Sequence, residues 1–245
     1  MIHERSTQAS STSTLVAPAS TTVAMLLADA RLPSGGHAHS AGLEPAFAGG
    51  LRAPRLGAFL EGRALTTTLV DAGTAVVVRH ALLTARHDDE VVVVLRSIER
   101  AWAARTPSPA MREAARVLGR GLLRLAAIVW PESAVIALHR SAGRAVSRPV
   151  VLGMIAAASG LTAVDLVRVS VYDDAQTAAA AMLKLQPGDP ADATVAVLRA
   201  CAAVDHLVVD IAAITTPEAI PASGSPQSEG WAEAHALLGR RLFRA

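Results

Sequence analysis

The sequence predicts an all-α protein: a single-domain helical bundle with a disordered N-terminal tail and a flexible C-terminal segment. Three observations carry that prediction. Met111, Ala114, Ala115, Leu118, Leu122, Leu125 and Val129 recur at three- and four-residue steps, the apolar stripe of an amphipathic helix. Thr, Asp and Pro stand where helices should start, and Gly or Pro where they should stop. Hydrophobic residues are 51% of the 245, aromatics only 3%, a composition suited to helices packed through Ala, Val and Leu.

Taken in order, residues 1–21 are expected to be a disordered tail, because the Ser/Thr-rich run from Ser6 to Thr14 has nothing to bury. That run also sits where the apolar stretch of a signal peptide would belong. Residues 22–215 form the expected helical domain. Within 54–104 the β-branched runs at Thr66–Thr68, Val76–Val78 and Val91–Val94 favour strand locally. They lie among Leu, Ala, Arg and Glu with few turn residues, so helix is the better reading. Pro131 stops the helix of 111–130, since proline lacks the amide hydrogen and clashes with the preceding turn. Pro149–Ser159 reads as a short helix capped by Gly160, with Leu161 placed for the contact that follows such a cap. Thr162 and Asp165 have N-cap and N3 spacing, starting a helix over 163–186 with a stripe through Val167, Val171, Ala175, Ala178, Met182 and Leu185. Asp189 and Pro190 open another, carrying Ala193, Val197, Ala200, Val204, Leu207, Ile211 and Ile214. Residues 216–230, rich in Pro and Gly, read as a linker before a short final helix, and 216–245 as a partner-docking segment.

Composition excludes several function classes. Lys and Arg number 23 against 21 Asp and Glu, a balance of +2 too even for a nucleic-acid binder. Seven aromatic side chains are few for a base-stacking platform. One cysteine, Cys201, leaves no internal disulfide and no Cys-rich zinc site. No window approaches the ~18 consecutive apolar residues of a membrane span: Asp71 interrupts one candidate and Pro131 ends another. A soluble, cytoplasmic domain is expected. Gly119-Arg-Gly121-Leu-Leu-Arg124 lacks the third glycine and the preceding strand of a dinucleotide fingerprint, and no P-loop sequence occurs.

The densest run of special residues is Asp29 to Glu44. Pro33, Gly35, Gly36 and Gly42 permit tight turns. His37 and His39 are two apart, so an extended backbone would point both imidazoles the same way, and Glu44 could add a third ligand. A closed metal site needs four ligands, and an ordered turn is the favoured reading; the competing one is a small metal-dependent hydrolase built on this loop. Arg112, Arg116, Arg120 and Arg124 recur every four residues opposite the apolar stripe, either a solvated face or a docking ridge for acidic groups. Gly119 and Gly121 suggest a close neighbour at that helix, from a partner or from this chain. His80 and His87, followed by Asp88, Asp89 and Glu90, read as a helix end with solvated charges. Asp173 and Asp174 diverge by ~100° around a helix and cannot serve one substrate as an acid/base pair.

Leu32-Pro33-Ser34-Gly35-Gly36-His37-Ala38-His39-Ser40-Ala41-Gly42-Leu43-Glu44 resembles the N-terminal signature of the UreF family of urease accessory proteins. Further likenesses follow in order: Arg105-Thr106-Pro107, Gly119-Arg120-Gly121-Leu122-Leu123, Pro149–Gly153 with Gly160-Leu161, and the ending Arg241-Leu242-Phe243-Arg244-Ala245. Together they span about residues 22–245. The chain departs from the family pattern at Leu185–Asp189 and at Ala236 after His235. The resemblance implies an all-α homodimer without turnover of its own. It implies assembly with UreD (also called UreH) and the GTPase UreG, delivery of nickel to apo-urease, and GTP held by UreG. Nickel would transit the complex, with no cofactor held stably here. The partner-binding residues it implies are Pro33, Gly35, Gly36, His37, His39, Ser40, Gly42 and Glu44 in the loop, with Arg116 and Arg120, and Arg241, Leu242 and Phe243 at the end.

Overall fold

The computed structural model describes residues 19–143, 145–238, 242 and 243, with the backbone alone at 37, 88 and 89. No strand forms among the described residues. The helices are α1 (Ser20–Ala28), α2 (Leu43–Ala48), α3 (Leu56–Ala64), α4 (Thr67–Thr84), α5 (Asp88–Arg105), α6 (Pro109–Val129), α7 (Ala134–Ser141), α8 (Arg148–Ser159), α9 (Ala163–Leu185), α10 (Pro190–Val204), α11 (Val208–Ala212) and α12 (Pro226–Ala236).

The expected caps are in place. The Thr162 hydroxyl accepts the Asp165 amide at 3.1 Å, and the Asp189 carboxylate accepts the Ala191 amide at 2.8 Å. Gly160 ends α8 with a left-handed φ of 71°, and Leu161 beyond it is fully buried. The β-branched runs of 54–104 are helical, as expected. Val76, Val77 and Val78 on α4 bury their branches in the core, all within 2% of full burial, whereas on α5 Val93 is exposed and its three valine neighbours are half-buried.

The core has two lobes. One joins α4, α5, α6 and α8, with Ile98, Trp102, Leu122, Leu152 and Ile155 at its centre. The other joins α2, α3, α9 and α10 through small residues such as Ala175, Ala178, Ala193 and Ala200. Helix α9 belongs to both, giving Leu166 and Val167 to the first and Val171 to Met182 to the second. This is how a charged stretch of α9 comes to lie between the lobes.

Three expectations shift. The helix read from Asp189 to Ile214 is interrupted by a 3-10 turn at Asp205–Leu207. That tighter winding moves the buried position to Val208 and leaves Leu207 half-buried. The linker ends at Ser225, because Pro226 starts α12 and Gly230 lies inside it. Helix α1 begins at Ser20, inside the stretch assigned to the tail; residues 1–18 lie outside the described residues.

Candidate functional site

The loop between α1 and α2 is held from beneath by α6. A Cβ on Gly121 would stand 2.1 Å from the Ser34 carbonyl oxygen, and one on Gly119 would stand 2.0 Å from the Val146 carbonyl oxygen. The close neighbour that these glycines signalled is therefore this chain itself: the loop on one side and the lead-in to α8 on the other. Residues Gly36–Ala38 form one 3-10 turn, so the extended backbone assumed for His37 and His39 is not present. The His37 side chain lies outside the described residues. Pro33 is exposed in the turn, and Gly35 and Gly42 adopt left-handed φ of 89° and 80°. Ala41 is also left-handed, at 47°, an uncommon conformation for a residue with a Cβ. Buried Ser40 stabilises it from below, its hydroxyl accepting the Glu44 amide at 3.3 Å.

His39 turns inward. Its Nδ1 accepts the Ala41 amide at 2.9 Å, so the ring proton resides on Nε2. That Nε2 is buried and has no hydrogen-bond partner among the described residues. Burial, then the Arg63 charge, pushes the His39 pKa down to about 4, against a pull upward from Asp174. The imidazole is neutral at physiological pH.

Around it lies a cavity of about 110 Å³ with an unusual density of charge in its wall. Arg63 on α3 makes a two-pronged pair with Asp174 on α9, Nε to Oδ2 at 3.0 Å and Nη2 to Oδ1 at 2.6 Å. Thr68 adds a hydrogen bond to Asp174 at 2.9 Å. Arg148, at the start of α8, pairs with Asp173 at 2.7 Å. Asp71 on α4 accepts the Trp102 indole N–H at 2.8 Å. Burial raises the Asp174 pKa, but Arg63, Thr68 and Arg148 outweigh it and hold the carboxyl below the ordinary value. Asp173 goes the other way: burial and the neighbouring Asp174 charge outweigh Arg148. Asp71 is pushed up to about 6, chiefly by burial. The wall thus holds two arginines against two firmly paired carboxylates and a third carboxylate that titrates near neutrality.

Glu44 faces away from this cavity. Its carboxylate accepts the backbone amides of Leu242 at 2.7 Å and Phe243 at 2.8 Å, and lies 3.3 Å from Nε2 of buried His235. Phe243 is buried against the second lobe with the Lys184 ammonium 5.4 Å above its ring, whereas Leu242 is exposed. Helix α12 packs on α2 so closely that a Cβ on Gly49 would stand 2.1 Å from Trp231 Nε1. The loop and the chain end, predicted separately, form one surface. Arg241 lies outside the described residues. His39 and Glu44 share a loop yet serve different partners, and among the described residues no three His, Cys, Asp or Glu side chains gather closely enough to hold a metal ion.

On the α6 ridge, Arg116 stands 3.6 Å from Glu99, and Arg120 makes an exposed pair with Glu113 at 3.3 Å. Arg112 donates to the carbonyls of Thr106 and Pro107 at 2.7 Å each. Sequence reasoning did not single out Arg63, Asp71 or Arg148 as site residues and considered Asp173 and Asp174 only as an acid/base pair, which it rejected. The available signal was Asp71 itself, the one acidic residue in the otherwise uncharged run Thr66–Val78. No helix among the described residues is long and apolar enough to cross a membrane.

Comparison with known proteins identifies the family. The sequence model of the UreF family matches residues 53–201. A urease accessory protein UreF from Mycobacterium sp. (strain JLS) is 38% identical over 228 residues, covering 91% of this chain and 97% of that protein. Another from Mycobacterium marinum is 40% identical, covering 71% of this chain and 78% of its own length. A third, from Mycobacterium tuberculosis (strain ATCC 25177 / H37Ra), is 39% identical over 71% of this chain and 76% of its own. With the family's sequence model spanning α3 to α10 and likeness running through most of each relative, the chain belongs to the UreF family.

Proposed function

We propose that the chain is a urease accessory protein acting as a non-enzymatic scaffold and chaperone. In this reading it is a cytoplasmic homodimer that joins UreD (UreH) and the GTPase UreG and helps deliver nickel to apo-urease. Nickel is the cargo of the complex, and GTP is bound by UreG. The observation that carries the reading is the 38% identity, across 97% of its length, to a protein named as a urease accessory protein. Two structural features agree with it. The chain end is held by backbone amides on Glu44 and by buried Phe243, leaving Leu237, Leu238 and Leu242 exposed for a partner. Arg120, half exposed on α6, offers a guanidinium to acidic groups.

Co-expression with the accessory proteins and affinity purification test the reading. The intact chain should retain UreD and UreG; the chain lacking 231–245 should stay folded and lose UreD. Retention of UreD by the truncated chain would remove the chain end from the interface. Urease reaching full nickel content in cells lacking this protein would overturn the whole proposal.

A further inference from the structure

We infer that α12 is a displaceable lid on the charged cavity, able to open while the rest of the bundle stays folded. Ser228 and Ala232 of α12 form part of the cavity wall, together with His39 and Arg63. The chain before the lid is firmly anchored. Arg105 donates to the Ile220 and Glu218 carbonyls at 2.9 and 3.1 Å. A Cβ on Gly73 would stand 2.7 Å from the Pro221 ring. Ala222-Ser223-Gly224 then follow, small residues that make no hydrogen bond to the bundle among the described residues, and Ser225 bonds only within its own helix. This is a hinge between a fixed strap and a rigid helix.

The lid's own attachments are a few polar bonds and the apolar contacts of Trp231 and Ala232. Glu233 takes hydrogen bonds from the Ser108 hydroxyl and, at 2.9 Å, from the Ala110 amide at the start of α6. His235 meets Glu44 at 3.3 Å, and Trp231 rests against Gly49. Only Ala232 and His235 of the whole helix are fully buried, whereas α8 buries eight of its residues. An element with so little apolar surface committed opens at far lower cost than the core. Opening it uncovers the wall that Ser228 and Ala232 close, and with it the His39 Nε2 that no solvent reaches in the closed form.

The test uses the full chain alone, so it is independent of the partners proposed above. Hydrogen exchange reports the amides of 226–236, and diethyl pyrocarbonate modification read by mass spectrometry reports His39. Glu233→Ala removes a charged acceptor, and both signals should rise together by about tenfold to a hundredfold. Gly49→Ala, which displaces Trp231 without touching α6, should raise both in the same way. Both rates should be flat in low urea, the mark of a local opening. The inference is overturned if His39 reacts no faster in either variant, if the α12 amides speed up without His39, or if both rates follow the urea dependence of global unfolding.

Discussion

Replacing Asp71 by Asn removes a charge that the fold holds at a loss. The Asp71 carboxyl titrates at about 6 in the folded chain, against 3.8 for the free group. At ~1.4 kcal/mol per pH unit, that difference costs the native state about 3 kcal/mol once both forms are ionised. The sign follows from proton counting. Between pH 4 and 6 the folded chain binds the proton that the unfolded chain has lost, so stability falls as pH rises through this window. Asn keeps the acceptor for Trp102 Nε1 and never ionises. Asp71→Asn should therefore be more stable than the parent by up to about 3 kcal/mol at pH 8, with the gain vanishing near pH 4. His39 acts in the opposite sense. Its pKa falls from 6.5 to about 4, so the unfolded chain binds the extra proton, and stability rises with pH across that span. In the parent the two slopes nearly cancel, and this pair alone leaves stability flat within about 1 kcal/mol from pH 3 to 8. Urea unfolding followed by circular dichroism at pH 4, 5, 6 and 8 reads both effects. Asp71→Asn should tilt the profile upward with pH and His39→Gln downward. An Asp71→Asn chain no more stable than the parent at pH 8, or a gain that does not depend on pH, would refute the account of the buried acid.

Two other variants probe the supports of the site. Gly121→Ala should destabilise by about 2–3 kcal/mol, because the new methyl meets a backbone carbonyl that has no rotamer by which to yield; thermal melting checks it, and a neutral result would mean that Ser34 is not pinned by α6. Arg120→Glu, at a half-exposed pair, should change stability by less than about 0.5 kcal/mol while weakening co-purification with the partners. An undiminished complex would return the ridge to a solvated face. Arg116→Glu is the poorer probe, because Glu99 beside it also accepts the Ser147 amide and hydroxyl at the start of α8. Its destabilisation, expected at about 1 kcal/mol or more, would confound the binding readout.

What the sequence disclosed follows from the range of each interaction. Caps act over two or three residues, so Thr162 with Asp165, and Asp189 with Ala191, were readable in place. The break at Asp205–Leu207 was not, because it breaks a stripe whose apolar residues still recur at helical steps. The charged cavity was illegible for a different reason. Arg63 and Asp174 are 111 residues apart, and each alone looks like an ordinary helix charge. The bond from Leu242 to Glu44 spans 198 residues. Only the lone carboxylate in the run Thr66–Val78 was out of place locally, since an unpaired acid on a buried face needs a partner elsewhere.

The six residues from His39 to Glu44 join the two halves of the site, and their conformation leaves little slack. His39 sits in the cavity wall, with Gly42 against the Arg63 guanidinium, where a Cβ would stand 3.3 Å from Nη1. Glu44 holds the chain end and the His235 of the lid. Between them Ala41 and Gly42 are both left-handed, and the Ala41 amide is spent on His39. Release of the chain end frees the Glu44 carboxylate at the first turn of α2, while the pinned Ser34 keeps the other end of the loop fixed. Movement is then confined to the stretch between Ser34 and α2, which carries Gly42 against Arg63. A buried, paired arginine is a poor source of stability, because desolvating its charges offsets their attraction. It is a good means of fixing one loop geometry against all others, which is what a surface recognised by partner proteins requires.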